Sequence, residues 1–222
     1  MDNVGSGNRF QYSDNLNMVM KTHYKLFSLI LCAILGALIF ALKICMAPLP
    51  NIEPVTLMLM LITLVFGARA FASASVYILL EGLVYGFSPW WLCYVYIWPL
   101  LIFLTLPLRK YRSRFLFSAV GGLFGFAFGF LFIPVFYFTY DLSGKLIPYI
   151  MADIPFDLIH AGANVIIVFC LLPPLRTAFE RILGKYTAQS SLRSKARQND
   201  LDTEGNEDAD AARRRRTADK LH

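Results

Sequence analysis

The 222-residue chain has little charge, few histidines and few cysteines. Lys, Arg, Asp and Glu together make up 16% of it, with three His and four Cys. Sparse charge beside 57% hydrophobic residues and a mean hydropathy of +0.53 lies on the membrane side of the usual soluble range. Cys32, Cys45, Cys93 and Cys170 show no CxxC spacing. Three sit in apolar runs and read as small buried hydrophobes, although Cys45 and Cys93 can approach each other near one membrane face. No GxxxxGK[ST] phosphate loop occurs, and Gly144-Lys145 stands alone, so the chain is not expected to power transport with ATP itself. HExxH and GxSxG are absent as well; no enzymatic activity and no cofactor in this chain are expected. The first residues lack a compact basic start, so the first helix is expected to stay uncleaved. The net charge of +6 belongs to loops and a tail rather than to a folded soluble domain, which argues against nucleic acid as a partner.

What the chain has in abundance is apolar sequence, enough for about six spanning helices of roughly 20 residues each. The expected spans are Lys25–Leu42, Val55–Phe71, Ala72–Phe87, Trp90–Leu108, Phe115–Tyr137 and Ile154–Leu172. The fifth is long and open to a break at Pro134. Lys21, Lys25, Arg69, the cluster from Arg109 to Arg114, Arg176, Arg181 and Lys185 then fall on one side, with only Lys43 and Lys145 on the other. The positive-inside rule places both termini in the cytoplasm. The expected fold class is therefore an all-α multi-pass cell-membrane protein, a six-helix bundle. Residues 1–24 read as a cytoplasmic N-terminal segment, 25–186 as the membrane domain and 187–222 as a disordered charged tail. The run Arg213 to Arg216 reads as part of a solvated tail, with attraction to anionic inner-leaflet lipid as the sharper alternative.

Polar residues inside the apolar runs are the candidate site. Asp153, Asp157, His160 and Asn164 recur at four, three and four residues, one stripe of an α-helix. Such a stripe is costly in lipid unless it faces protein or a water-filled cavity. Glu81 lies inside the third span, with Tyr77 and Tyr85 one helical turn to either side. Trp91, Tyr94 and Trp98 share a face of the fourth; part of this is interfacial belt, but Tyr94 and Trp98 can wall a pocket. The loop from Met46 to Pro54 carries three prolines, so it is stiff and extended, and Asn51 and Glu53 make it a candidate lid. In this topology Asn51, Glu53, Glu81, Tyr85, Tyr94, Trp98, Asp157 and His160, with Asn164 below them, converge on an outward-open pocket. It suits hydroxyls, ring nitrogens or a cationic group better than a strong anion.

Small residues mark close helix packing. Gly121, Gly125 and Gly129 in the fifth span read as internal packing. Ala33, Ala37 and Ala41 in the first, with Gly36 beside them, can dock a helix of this chain or of a partner.

Ala41-Leu42-Lys43, Pro50-Asn51-Ile52-Glu53-Pro54-Val55-Thr56-Leu57, Leu80-Glu81-Gly82-Leu83-Val84-Tyr85-Gly86-Phe87 and Asp153-Ile154-Pro155-Phe156-Asp157-Leu158-Ile159-His160-Ala161 together resemble the substrate-binding S components of energy-coupling factor (ECF) transporters. The resemblance covers about Lys25 to Arg181. It implies a six-helix protein that captures a vitamin or related micronutrient from outside. It also implies a separate transmembrane coupling subunit and two ATPase subunits, which would use the ATP. By the same resemblance the alanine stripe meets the coupling subunit and the proline-rich loop gates the site. The charged C-terminal tail is not part of the family pattern. Two other readings stand beside it. One is a self-sufficient secondary transporter, proton-coupled through Asp157, His160 and Glu81, for which no inverted repeat is visible. The other is an intramembrane hydrolase with Glu81 and His160 around a metal, for which ligand candidates are few.

Overall fold

The computed structural model describes residues 4–49, 52 and 54–218, and every regular element among them is helical. The helices are α1 (Val4–Met46), α2 (Val55–Phe66), α3 (Ala70–Tyr85), α4 (Pro89–Thr105), α5 (Arg114–Phe126), α6 (Ile133–Thr139) and α7 (Leu146–Ala218). Contacts divide the chain into two units, Met1–Arg176 and Thr177–His222. Four helical stretches are long and apolar enough to cross a membrane: Lys25–Met46, Val55–Tyr85, Pro89–Lys110 and Leu146–Tyr186. α5 and α6 make a fifth when counted as one span across a 54° bend.

α2 is apolar on all sides, and Val55, Leu59, Met60, Leu61 and Ile62 are fully buried. A helix hydrophobic all round is a core helix. It stops at Gly67, whose φ of 68° and ψ of −138° lie outside the regions open to residues with a Cβ. A 3-10 turn, Gly67–Arg69, leads into α3. The side-chain contacts then reverse direction. Thr56, near the start of α2, meets Asn164 in the interior of α7 at 3.4 Å. The end of α2 meets Arg109, whose guanidinium donates to Leu64 O and Val65 O at 3.3 Å. That basic end is closed by Arg176, which donates to Tyr111 O and Arg109 O at 2.7 Å. α3 leads away from it: Phe71 packs on Phe103, Ile78 O accepts from Trp91 Nε1 at 2.8 Å, and Glu81 reaches Lys43. The contacts of α2 lead to the basic end and those of α3 lead away from it, and the boundary between the two helices falls at Gly67 rather than between Phe71 and Ala72.

α1 and α3 run side by side in the same direction. Ser73 Oγ donates to Cys32 O at 2.6 Å near one end, and Lys43 pairs with Glu81 near the other. Gly36 permits this approach, because a Cβ there would meet the Ser73 backbone and Val76. α4 and α5 start at serine N-caps, Ser88 accepting from Trp91 N and Ser113 from Leu116 N, as capping requires.

Three boundaries differ from expectation. The fifth span breaks after Phe126, not at Pro134. Gly129 N donates to Asp157 Oδ1 at 2.9 Å instead of continuing the helical ladder. Pro134 sits in the first turn of α6, where its missing donor costs nothing. The polar segments at both ends are helical where described, α1 starting at Val4 and α7 running to Ala218. Beyond Pro174 the tail is rich in Ala and long straight-chain residues without proline, which favour helix whenever no other structure competes. In the loop before α7, Asp141 takes a left-handed φ of 45°. The Ser143 hydroxyl donates to its carboxylate, and together with the Ser143 backbone it holds that carboxyl below the usual range.

Candidate functional site

The polar groups inside the bundle collect at two poles joined by stacked rings. At the first pole Lys43, from the last turn of α1, places its ammonium 2.7 Å from Glu81 Oε1. It also donates to Tyr94 OH at 3.4 Å. The same nitrogen lies 5.0, 5.6 and 6.0 Å from the ring centroids of Tyr94, Tyr85 and Tyr77, within cation–π range. Glu81 is buried, whereas the Lys43 side chain keeps 22% of its surface. Tyr85 is 59% exposed and stands at the rim of the group.

From Tyr94 the rings continue inward. Tyr94 meets Trp98 at 5.5 Å, Trp98 meets Phe128 at 5.5 Å, and Phe128 meets the His160 imidazole at 4.8 Å. Most of these contacts are edge-on or tilted, the geometry aromatic quadrupoles prefer. Tyr94 and Trp98 are buried at 3% and 0% exposure, so they wall the interior rather than the interfacial belt. Trp90, half exposed on Phe132 and Phe136, is the belt-like member.

The second pole is the polar stripe of α7 against the glycine stripe of α5. A Cβ on Gly129 would collide with the Asp153 carboxylate and lie 2.7 Å from Asp157 Oδ2. A Cβ on Gly125 would lie 2.8 Å from Asn164 Nδ2. The glycines therefore make room for polar side chains, in keeping with their reading as internal packing. Asp157 Oδ1 accepts from Gly129 N, but Asp157 Oδ2, His160 Nε2 and Trp98 Nε1 are buried and have no hydrogen-bond partner. Asn164 lies deeper, its amide donating to Thr56 Oγ1 and Gly121 O at 3.4 and 3.3 Å.

Glu81, Tyr85 and Tyr94 thus meet at one pole, Asp157 and His160 at the other, and Trp98 lies between. Asn51 and Glu53 lie outside the described residues. Lys43 is the main participant missed in the sequence; a lone cation in an apolar run, opposite a lone carboxylate, was the available signal. Phe128 and Thr56 were missed for want of any signal. Ala37 and Ala41 are exposed and Ala33 partly so, while Gly36 faces α3; among the described residues the alanine stripe docks no helix. All four cysteines are free, Cys32 and Cys93 buried, Cys45 and Cys170 exposed. The buried-hydrophobe reading holds for the first two only.

An apolar groove of about 280 Å³ lies between α3 and α4, lined by Phe71, Ile78, Leu79, Trp91, Val95 and Pro99. Among the described residues no group of three His, Cys, Asp or Glu is placed to hold a metal ion. Comparisons of the chain with protein-family models, with curated proteins and with solved structures return no match.

Proposed function

We propose that this chain is the substrate-specific membrane subunit of an ECF-type transporter, capturing a vitamin or related micronutrient from outside the cell. The observation that carries the reading is the set of buried polar atoms without partners: Trp98 Nε1, Asp157 Oδ2 and His160 Nε2. Each such group costs about 1–3 kcal/mol when left unpaired. Trp98 and His160 both meet the Phe128 ring and Asp157 holds the amide of the next residue, Gly129; such a grouping in an apolar bundle fits groups kept for a ligand. A planar ligand that packs beside Phe128 within reach of Trp98 and His160 would offer these atoms partners.

The reversal at Gly67 supports six membrane segments: α1, α2, α3, α4, the bent pair α5–α6, and α7. With six, the basic end holding Arg109 and Arg176 is cytoplasmic by the positive-inside rule, and the pole at Lys43 faces outward. The outward-facing alanines of α1 give a coupling subunit a smooth helix to pack on. The subunit then binds substrate and carries out no chemistry of its own, and ATP is hydrolysed by two partner ATPases.

The test is uptake into vesicles containing this chain with and without a coupling subunit and ATPases. Native mass spectrometry of gently purified protein supplies the ligand. Uptake that needs the partners and ATP supports the proposal. Uptake by this chain alone, driven by a proton gradient, overturns it in favour of a secondary transporter. That second reading has its own support, since Asp153 and Asp157 converge on Gly129 and Asp157 lies one helical turn from His160, a grouping suited to proton relay.

A further inference from the structure

Lys43 occupies an arrangement that is itself a binding site for an ammonium ion. One carboxylate, one phenol oxygen and three tyrosine rings from two helices surround its nitrogen. This combination of an anion with several ring faces is what recognises alkylammonium ligands. The occupant comes from a different element from the cage: Tyr77, Glu81 and Tyr85 run from the middle to the last residue of α3 and Tyr94 lies in the second turn of α4, whereas Lys43 comes from the last turn of α1. Its side chain is partly exposed and the rim residue Tyr85 more so, so the nitrogen can leave without unpacking the core.

We infer that Glu81, Tyr77, Tyr85 and Tyr94 form a binding site for the cationic nitrogen of a small-molecule ligand, for which Lys43 is the resident stand-in. The ligand ammonium and the Lys43 ammonium exclude each other. Binding therefore releases Lys43 and the end of α1, and loss of ligand lets Lys43 return and neutralise Glu81. A charge is always present in the cage, so Glu81 is never left buried and alone. The inference rests on the reading of this bundle as a small-molecule capture site and adds the chemical class of one ligand group.

The experiment uses full-length protein in detergent, with tetramethylammonium and n-butylammonium chloride as probes and n-butanol and sodium chloride as controls. Thermal melting and tryptophan emission report binding. Both ammonium ions should bind wild-type protein weakly and Lys43→Met at least tenfold more tightly, with binding lost in Lys43→Met/Glu81→Gln. Equal affinity in wild type and Lys43→Met, or a response matched by butanol or by sodium chloride, overturns the inference. A second measurement needs no variant. Acetylation of Lys43, read by mass spectrometry, should rise at least threefold when tetramethylammonium is added to wild-type protein; an unchanged or lowered rate overturns the exchange. Failure of these tests alongside ATP-dependent uptake of an uncharged ligand removes the cage and leaves the capture subunit standing. Proton-driven uptake by the chain alone, with the ammonium responses intact, does the reverse.

Discussion

Glu81 and Lys43 show at the level of single residues why a polar pair can sit in an apolar bundle. Their 2.7 Å contact offsets the desolvation of both, and neither is stable there alone. Glu81→Gln should lower the melting temperature in detergent, corresponding to about 1–3 kcal/mol, the cost of a charge left without its partner. Adding Lys43→Met should recover most of that loss, and a double-mutant cycle measures the coupling. An additive cycle would mean the pair contributes nothing. His160 should behave in the opposite way. Its Nε2 is already unpaired, so His160→Leu should melt no lower than wild type, yet ligand affinity should fall at least tenfold. A large loss of stability in that variant would make His160 a structural residue. Glu81 and His160 were legible in the sequence because an ionisable group in an apolar run stands out. The Lys43 partnership was not, because it joins positions 38 residues apart and only the packing of α1 on α3 creates it. Phe128 was invisible in a segment already crowded with phenylalanine.

At the level of elements, small residues separate into two kinds that sequence spacing alone does not distinguish. Gly36 is where α1 touches α3, and a Cβ there meets backbone, which cannot move aside as a flexible side chain can. Gly36→Val should therefore destabilise the bundle by about 1–3 kcal/mol through overpacking. Ala37, the next residue, points out of the bundle. Ala37→Trp should leave the melting curve unchanged while abolishing binding of a coupling subunit, read by co-purification; a complex that survives would take the partner surface off α1. The apolar runs marked an all-helical chain with several stretches fit to cross a membrane, because lipid and core both demand apolar residues. They misplaced the ends where one side chain or one backbone angle decides. Gly67 ends α2 through a positive φ, and Asp157 breaks the fifth span by capturing the Gly129 amide, a contact made by a residue far along the chain.

For the whole molecule, an outward-facing pocket depends on the chain reversing at Gly67. A straight Val55–Tyr85 helix would put Ala68 in the middle of a span of roughly 46 Å at 1.5 Å per residue, sealed from both faces. The reversed chain instead puts Ala68, which is exposed, beside Arg109 at the basic end. Leu49, Ala68, Arg112 and Ser143 are all exposed loop or turn positions. Each can be changed singly to Cys in a protein whose four native cysteines are replaced by Ala. In oriented vesicles, a membrane-impermeant maleimide should label Leu49→Cys and Ser143→Cys from outside, and Ala68→Cys and Arg112→Cys only from the cytoplasmic face. Protection of Ala68→Cys from both faces would restore a single span. It would leave five segments, place the two chain termini on opposite sides, and remove the charge argument for an outward pocket. Labelling of Ala68→Cys together with Arg112→Cys fixes six segments. The pole at Lys43 and Glu81 then opens on the outer side of the membrane, because those residues lie at the end of α1 and α3 away from Arg109 and Arg176.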